Sequence, residues 1–110
     1  MRLTEVMELL LRHGISGLPV VDDEGNLLGI ISEIDLVNSA FSGNAADTSV
    51  EEVMSTNAVS FASDAELADL VQTFSSKRLR RVPIVEKGKV VGIVSRRDIL
   101  REMMRRYDQI

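Results

Sequence analysis

Apolar and polar positions along this chain fall into two alternating rhythms, and the same succession of rhythms occurs twice. Leu3, Val6, Met7 and Leu10 recur at the three- and four-residue spacing of one helix face, and so do Leu67, Leu70, Val71 and Phe74. Each set predicts an amphipathic helix. Ser63-x-x-Glu66 reads as a capping box opening the second of them. After each helix come two short runs rich in β-branched residues. Asp23-Glu24-Gly25-Asn26 joins the first pair of runs and Lys87-Gly88-Lys89 the second, so each pair predicts a hairpin. A closing helix is expected to begin at Ser32 and at Ser95. The last helix carries Ile99, Leu100, Met103, Met104 and Tyr107 on one predicted apolar stripe.

Between the two sets, Phe41 to Thr48 is small and polar, a linker by composition. Ser49 to Met54 predicts a short helical turn, and Ala58-Val59-Ser60-Phe61-Ala62 a strand. The second set therefore reads β-α-β-β-α. The first lacks the opening strand. The expected division is residues 1–40 for the first repeat, 41–48 for the linker and 49–110 for the second repeat.

The duplication is visible residue by residue. Aligning Leu18–Leu36 with Val82–Ile99, with one gap in the loop, makes 18 pairs. Seven are identical: Pro19/Pro83, Val21/Val85, Gly25/Gly88, Gly29/Gly92, Ile30/Ile93, Ser32/Ser95 and Asp35/Asp98. Most of the rest exchange one aliphatic side chain for another, which chance does not explain.

Gly17-Leu18-Pro19-Val20-Val21-Asp22, Gly29-Ile30-Ile31-Ser32-x-x-Asp35-Leu36 and the counterpart ending Gly92-Ile93-Val94-Ser95-x-x-Asp98-Ile99 resemble a pair of cystathionine-β-synthase-type (CBS) domains, also called a Bateman module. The resemblance spans nearly the whole chain. It implies an α/β (α+β) fold of tandem repeats packed about a pseudo-two-fold axis, in a small stand-alone or excised CBS-domain protein. It also implies two clefts built from both repeats, holding AMP, ADP, ATP or S-adenosylmethionine, with no cofactor required. By position, one cleft would join Ile15, Ser16, Gly17 and Pro19 to Ser95, Arg97 and Asp98. The other would join Leu79, Arg80, Arg81 and Pro83 to Ser32, Ile34 and Asp35, with Ala58 at the start of the strand. Two departures from the family pattern bear on these clefts. The missing first strand removes a wall from one, and Asn57-Ala58 stands where a ribose-holding hydroxyl is often found in the other.

The residue types suit such a ligand. One carboxylate can accept hydrogen bonds from two neighbouring ribose hydroxyls, a role for Asp35 and Asp98. Ser32 and Ser95 stand where a strand meets a helix N-terminus, a setting that favours phosphate. Ile15 or Leu79 could face the adenine ring. The same Ser-x-x-Asp is also a capping box that needs no ligand, and both roles can coexist. Pro19 and Pro83 can serve only to open strands, and Gly29 and Gly92 signal close approach of a ligand or of another backbone. His13, aligned with Lys77, is either a phosphate contact or a solvated helix end. Lone histidine makes a poor metal site, and no metal is expected.

Charge sharpens this picture. The chain of 110 residues carries −4 net, but residues 1–76 hold 2 basic and 13 acidic side chains, and residues 77–110 hold 11 basic and 4 acidic. Lys77, Arg78, Arg80 and Arg81, with Arg96, Arg97 and Arg101, either meet an anion or attract the acidic part of the chain or of a second copy. Composition excludes other chemistry. Cysteine is absent, so disulfides and thiolate sites are too. No nucleophile–base pair or P-loop is present, so an enzyme is not expected. With one tyrosine and no tryptophan, nucleic acid is a poor partner. No apolar run approaches the roughly 20 residues that cross a bilayer, and Glu5 comes too early for a signal peptide. A cytoplasmic regulatory module with an adenine-containing ligand and an effector protein of unknown identity is expected. The competing reading is a dimerisation module with vestigial clefts, using the apolar stripes at Leu10 and Leu11 and at Met103, Met104 and Tyr107 to form a homodimer.

Overall fold

The computed structural model describes residues 1–40, 46–77 and 79–107. The linker residues 41–45 and Arg78 of the basic cluster lie outside the described residues. The elements run α1 (Leu3–His13), β1 (Gly17–Val21), β2 (Leu27–Ser32), α2 (Glu33–Ala40), a 3-10 turn (Val50–Glu52), β3 (Phe61–Ala62), α3 (Leu67–Lys77), β4 (Arg81–Glu86), β5 (Lys89–Ser95) and α4 (Arg96–Tyr107). They group into two compact units, Met1–Ala58 and Val59–Ile110. The duplicated plan read from the sequence is present in both.

In the first unit, α1 starts because the Glu5 carboxylate accepts the Arg2 N–H at 3.2 Å. It stops at Gly14, whose φ of 62° lets its N–H turn back to the Leu10 carbonyl. β1 and β2 pair antiparallel with Gly17 opposite Ser32 and Pro19 opposite Ile30. Leu3, Val6 and Leu10 of α1, Ile31 of β2, Leu36 of α2 and Val50 of the 3-10 turn form the core, with Met7, Ile15, Leu18, Val20, Val53 and Met54 packed against it. Burial of each such side chain is worth about 1.5–3 kcal/mol.

The stretch from Ser49 to Ala58 belongs to this unit by packing, although its sequence leads into the second repeat. The Leu3 N–H donates to the Thr48 carbonyl at 3.1 Å and the Val50 N–H to the Met1 carbonyl at 2.9 Å. Ser55 then bridges β2: its N–H donates to the Ile30 carbonyl at 2.8 Å, and the Ile30 N–H donates to the Ser55 carbonyl at 2.9 Å. The prolines explain why Ile30 has both groups to offer. A proline has no N–H, so the pair Pro19–Ile30 exchanges no ladder bonds, and the backbone groups of Ile30 point away from β1.

The second unit is a three-stranded sheet in the order β3-β4-β5. β3 runs parallel to β4, with Phe61 opposite Ile84, and β5 runs antiparallel to β4, with Pro83 opposite Ile93. Lys87 and Gly88, at φ of 53° and 82°, make the tight two-residue turn between β4 and β5. Phe74, Val82 and Ile99 form the core, surrounded by Val59, Phe61, Leu67, Leu70, Val71, Leu79, Val94 and Met103. Phe61 stacks on Phe74 with centroids 6.4 Å apart.

Four local expectations differ from what is observed. The strand expected over 58–62 is confined to Phe61–Ala62. Ser63 caps no helix: its hydroxyl donates to Glu86 Oε1 at 3.3 Å, because the β3–β4 pairing carries it beside the end of β4. The Glu66 carbonyl instead accepts the first helical bonds of α3, from Asp69 and Leu70. The apolar stripe of α4 is also two stripes. Ile99 and Met103 face the core, while Leu100, Met104 and Tyr107 are 60%, 60% and 66% exposed. Leu10 and Leu11 divide likewise, Leu10 buried and Leu11 exposed, because adjacent helix positions lie about 100° apart. No helix among the described residues is long and apolar enough to cross a membrane.

Candidate functional site

Each hairpin ends in the same arrangement, and it gathers most of the residues singled out from the sequence. In the first unit, the register places Gly17 opposite Ser32. The Ser16 carbonyl accepts the Glu33 N–H at 2.9 Å. In the second, Arg81 lies opposite Ser95, and the Arg80 carbonyl accepts the Arg96 N–H at 3.0 Å. The approach to the first strand of each hairpin is thus side by side with the Ser-x-x-Asp turn of the same repeat. Ile15 and Leu79, the candidate adenine faces, are half-buried and pack against the core of their own unit. Pro83 is buried, Pro19 and Ala58 are half-buried, and Ile34 is exposed on the first turn of α2.

The Ser-x-x-Asp turns are capping boxes. Asp35 Oδ2 accepts the Ser32 N–H and the Ser32 hydroxyl, both at 2.9 Å, while Ser32 Oγ accepts the Asp35 N–H at 3.4 Å. Asp98 Oδ2 does the same for Ser95 at 2.7 and 2.9 Å, and Ser95 Oγ accepts the Asp98 N–H at 3.2 Å. The Ser95 backbone N–H, then its hydroxyl, hold the Asp98 carboxyl below its ordinary value. In both aspartates one oxygen does all the capping. The other, Oδ1, is taken by the exposed Arg101 in Asp98 and has no partner among the described residues in Asp35.

This geometry alters the expected anion seat. Of the first three N–H groups of each closing helix, one is engaged by the strand approach and one by the serine hydroxyl. Among the described residues, only those of Ile34 and Arg97 remain open in that turn. A lone N–H is a thin seat for a phosphate, so charge there must come from side chains. The second unit supplies it. Arg80, Arg81, Arg96 and Arg97 cluster at one end of its hairpin, all exposed and in no ion pair among the described residues. The equivalent positions in the first unit are Ser16, Gly17, Glu33 and Ile34, with no cation. The ion pairs among the described residues each lie within a single helix: Arg12 with Glu8 on α1, and Arg101 with Asp98 and Arg105 and Arg106 with Glu102 on α4. His13 and Lys77 close α1 and α3 as exposed ends. No group of three or more His, Cys, Asp or Glu among the described residues could hold a metal.

The two glycines inside strands have opposite surroundings. A Cβ on Gly29 would stand 2.5 Å from the Ser55 carbonyl oxygen and 2.9 Å from the Met54 sulfur. A Cβ on Gly92 would have nothing within 4 Å. The close approach at Gly29 is by the backbone of Ser55 and the side chain of Met54. Its approaching segment, 54–55, was not foreseen. The sequence signal for it is the duplication itself, which makes any segment packed on one copy conspicuous when the other copy lacks it.

Comparisons with known proteins agree with this plan. The CBS domain family model matches residues 1–41 and 50–105. The chain is 34% identical over 96 residues to the CBS domain-containing protein YhcV of Bacillus subtilis, covering 86% of this chain and 68% of that one. It is also 34% identical over 106 residues to the inosine-5′-monophosphate dehydrogenase of Methanocaldococcus jannaschii, covering 96% of this chain but 20% of the enzyme. The chain spans 62% of a 17.7 kDa relative from Acidianus ambivalens. Among solved structures, the CBSX2 protein in complex with AMP superposes with a TM-score of 0.88 at 25% identity, covering 97% of this chain and 84% of that one. The CBS domain pair of protein MJ0100, in complex with 5′-methylthioadenosine and S-adenosyl-L-methionine, superposes with a TM-score of 0.79 at 30% identity, covering 96% and 84%. With two copies of the repeat, a duplicated capped hairpin end and family matches over both halves, this chain belongs to the CBS-domain family and carries two CBS repeats in tandem.

Proposed function

We propose that this chain is a regulatory module that binds an adenine-containing small molecule and passes the binding event to a partner protein. The observation that carries the reading is the twice-built hairpin end, in which an aspartate caps its helix with one oxygen while the other is unpartnered in Asp35 among the described residues and held by the exposed Arg101 in Asp98. Relatives of the same fold hold AMP, or methylthioadenosine and S-adenosylmethionine. In this reading, Asp35 and Asp98 accept the ribose hydroxyls. Ile15, Ser16, Gly17 and Pro19 act together with Ser95, Arg97 and Asp98. Leu79, Arg80, Arg81, Pro83 and Ala58 act together with Ser32, Ile34 and Asp35. Both sets draw their cations from the second repeat. That favours a phosphate-bearing nucleotide such as AMP, ADP or ATP over S-adenosylmethionine, whose sulfonium is itself positive. The module needs no catalytic step. A ligand acts through its differential affinity for two states, and the partner reads the shift.

Thermal melts and calorimetric titration with AMP, ADP, ATP, S-adenosylmethionine and methylthioadenosine, with GMP as control, test this. A hundredfold excess over the dissociation constant stabilises the fold by about 2.7 kcal/mol. Asp35→Ala and Asp98→Ala are expected to weaken binding. If no adenine compound raises the melting temperature, the reading is wrong. A second reading then stands on Leu100, Met104 and Tyr107, which α4 presents to solvent: a homodimerising interaction module, detected as a dimer in sedimentation.

A further inference from the structure

The two Ser-x-x-Asp turns are copies, yet their aspartates are not equally free. Each spends Oδ2 on its own serine. Oδ1 of Asp98 also accepts a hydrogen bond from the Arg101 guanidinium at 3.0 Å, about one turn further along α4. The duplication pairs Arg101 with Asn38, three residues after Asp35 on α2. Asn38 carries no charge, and Oδ1 of Asp35 has no partner among the described residues. A ligand that needs Oδ1 of Asp98 must displace a cation, whereas Oδ1 of Asp35 has no protein group to give up. The Arg101 and Asp98 side chains are 72% and 44% exposed. An ion pair so open to solvent is worth little and opens readily, so it competes with a ligand without shutting it out. Arginines are shared out unequally as well. In the nucleotide reading Asp35 acts with Arg80 and Arg81, and Asp98 with Arg97 alone.

We propose that the two sets of ligand-binding residues are graded: the set containing Asp35 fills first, and Arg101 competes for Asp98 so that the other set fills only at higher ligand concentration. This rests on the nucleotide reading and adds to it an order of filling and the residue that sets it. Arg101 is a positioning residue here. It acts through the Asp98 carboxylate, and its place in the first repeat is taken by a side chain that cannot form the same ion pair. One chain would then answer its ligand at two thresholds, the spacing between them set in part by one exposed arginine.

The test titrates the whole chain with AMP, and separately with ATP, by calorimetry. Asp35→Asn should weaken the tighter binding step about tenfold or more, the usual cost of losing a charged acceptor. Asp98→Asn should spare that step. Arg101→Gln removes only an exposed ion pair. It should tighten the weaker step about two- to fivefold, or bring it into view, and leave the tighter one alone. Loss of a cation would by itself weaken the binding of a nucleotide, so the sign of this change separates competition from a general effect of charge. With Asp98→Asn also present the gain should vanish. Two sites of equal affinity overturn the proposal, and so does a tighter step that Asp98→Asn removes while Asp35→Asn spares it. An Arg101→Gln variant whose weaker step is no tighter than that of the parent overturns it too. If neither nucleotide binds the parent, the nucleotide reading fails and takes this inference with it, whereas each of the other adverse results leaves that reading standing.

Discussion

Asp98 joins a helix cap and the proposed ribose contact in one carboxylate. Its Oδ2 accepts two bonds from Ser95, and those bonds hold its titration below the ordinary 3.8. A carboxylate depressed in the folded state contributes stability that is present above the unfolded value and lost as the pH falls through the folded one. Replacing Asp98 by alanine should therefore cost about 1 kcal/mol near neutral pH, the usual worth of a cap. The difference between parent and variant in urea unfolding should shrink below about pH 4. A difference that stays constant with pH would show that the cap does not depend on the ionised form. The serine–aspartate spacing was legible in the sequence as both a cap and a ribose acceptor. Capping is what the coordinates display, because a reciprocal pair three residues apart at a strand–helix junction satisfies two backbone donors with no ligand.

At the scale of elements, Gly29 and Gly92 are identical in sequence and unlike in surroundings. Gly29→Ala forces a methyl against the Ser55 backbone, and overpacking of this kind costs about 1–3 kcal/mol. Gly92→Ala meets open space and should change stability by less than about 0.5 kcal/mol. Chemical unfolding of the two variants decides the matter. Equal effects would mean that the segment 54–55 does not hold β2. Helices and hairpins were readable because periodicity and turn residues report local geometry. The stripes of α4 merged because Leu100 and Met104 are as apolar as Ile99 and Met103, and composition alone cannot say which side the sheet lies on. Ser63 misled for a related reason. A cap motif names possible bonds, but the pairing of β3 with β4 brought Glu86 to the hydroxyl first. The docking of Ser49–Ala58 on the first unit depends on contacts between residues about 25 to 49 apart in the chain, which no local pattern records.

Taken as a whole molecule, charge is divided unequally. Residues 1–58 carry −8 and residues 59–110 carry +4, and the four arginines of the hairpin end, in no ion pair among the described residues, lie in the second part. Exposed charges act over about 8 Å at physiological ionic strength and fade as salt rises. Affinity for ATP should therefore fall more steeply than that for AMP between about 50 and 300 mM sodium chloride, and adenosine should be almost indifferent. Titration calorimetry across that range checks it. Identical salt slopes for all three would remove the arginines from ligand binding.

The stretch from Ser49 to Ala58 is inherited with one repeat and used by the other. Any recombination that trades these modules between proteins at the polar linker would hand over a front half stripped of its clasp and a rear half trailing a loose tail. A crossover placed after Ala58 keeps the clasp with the strand it fastens. The two halves can thus diverge in sequence, but only while the short stretch between them continues to match β2.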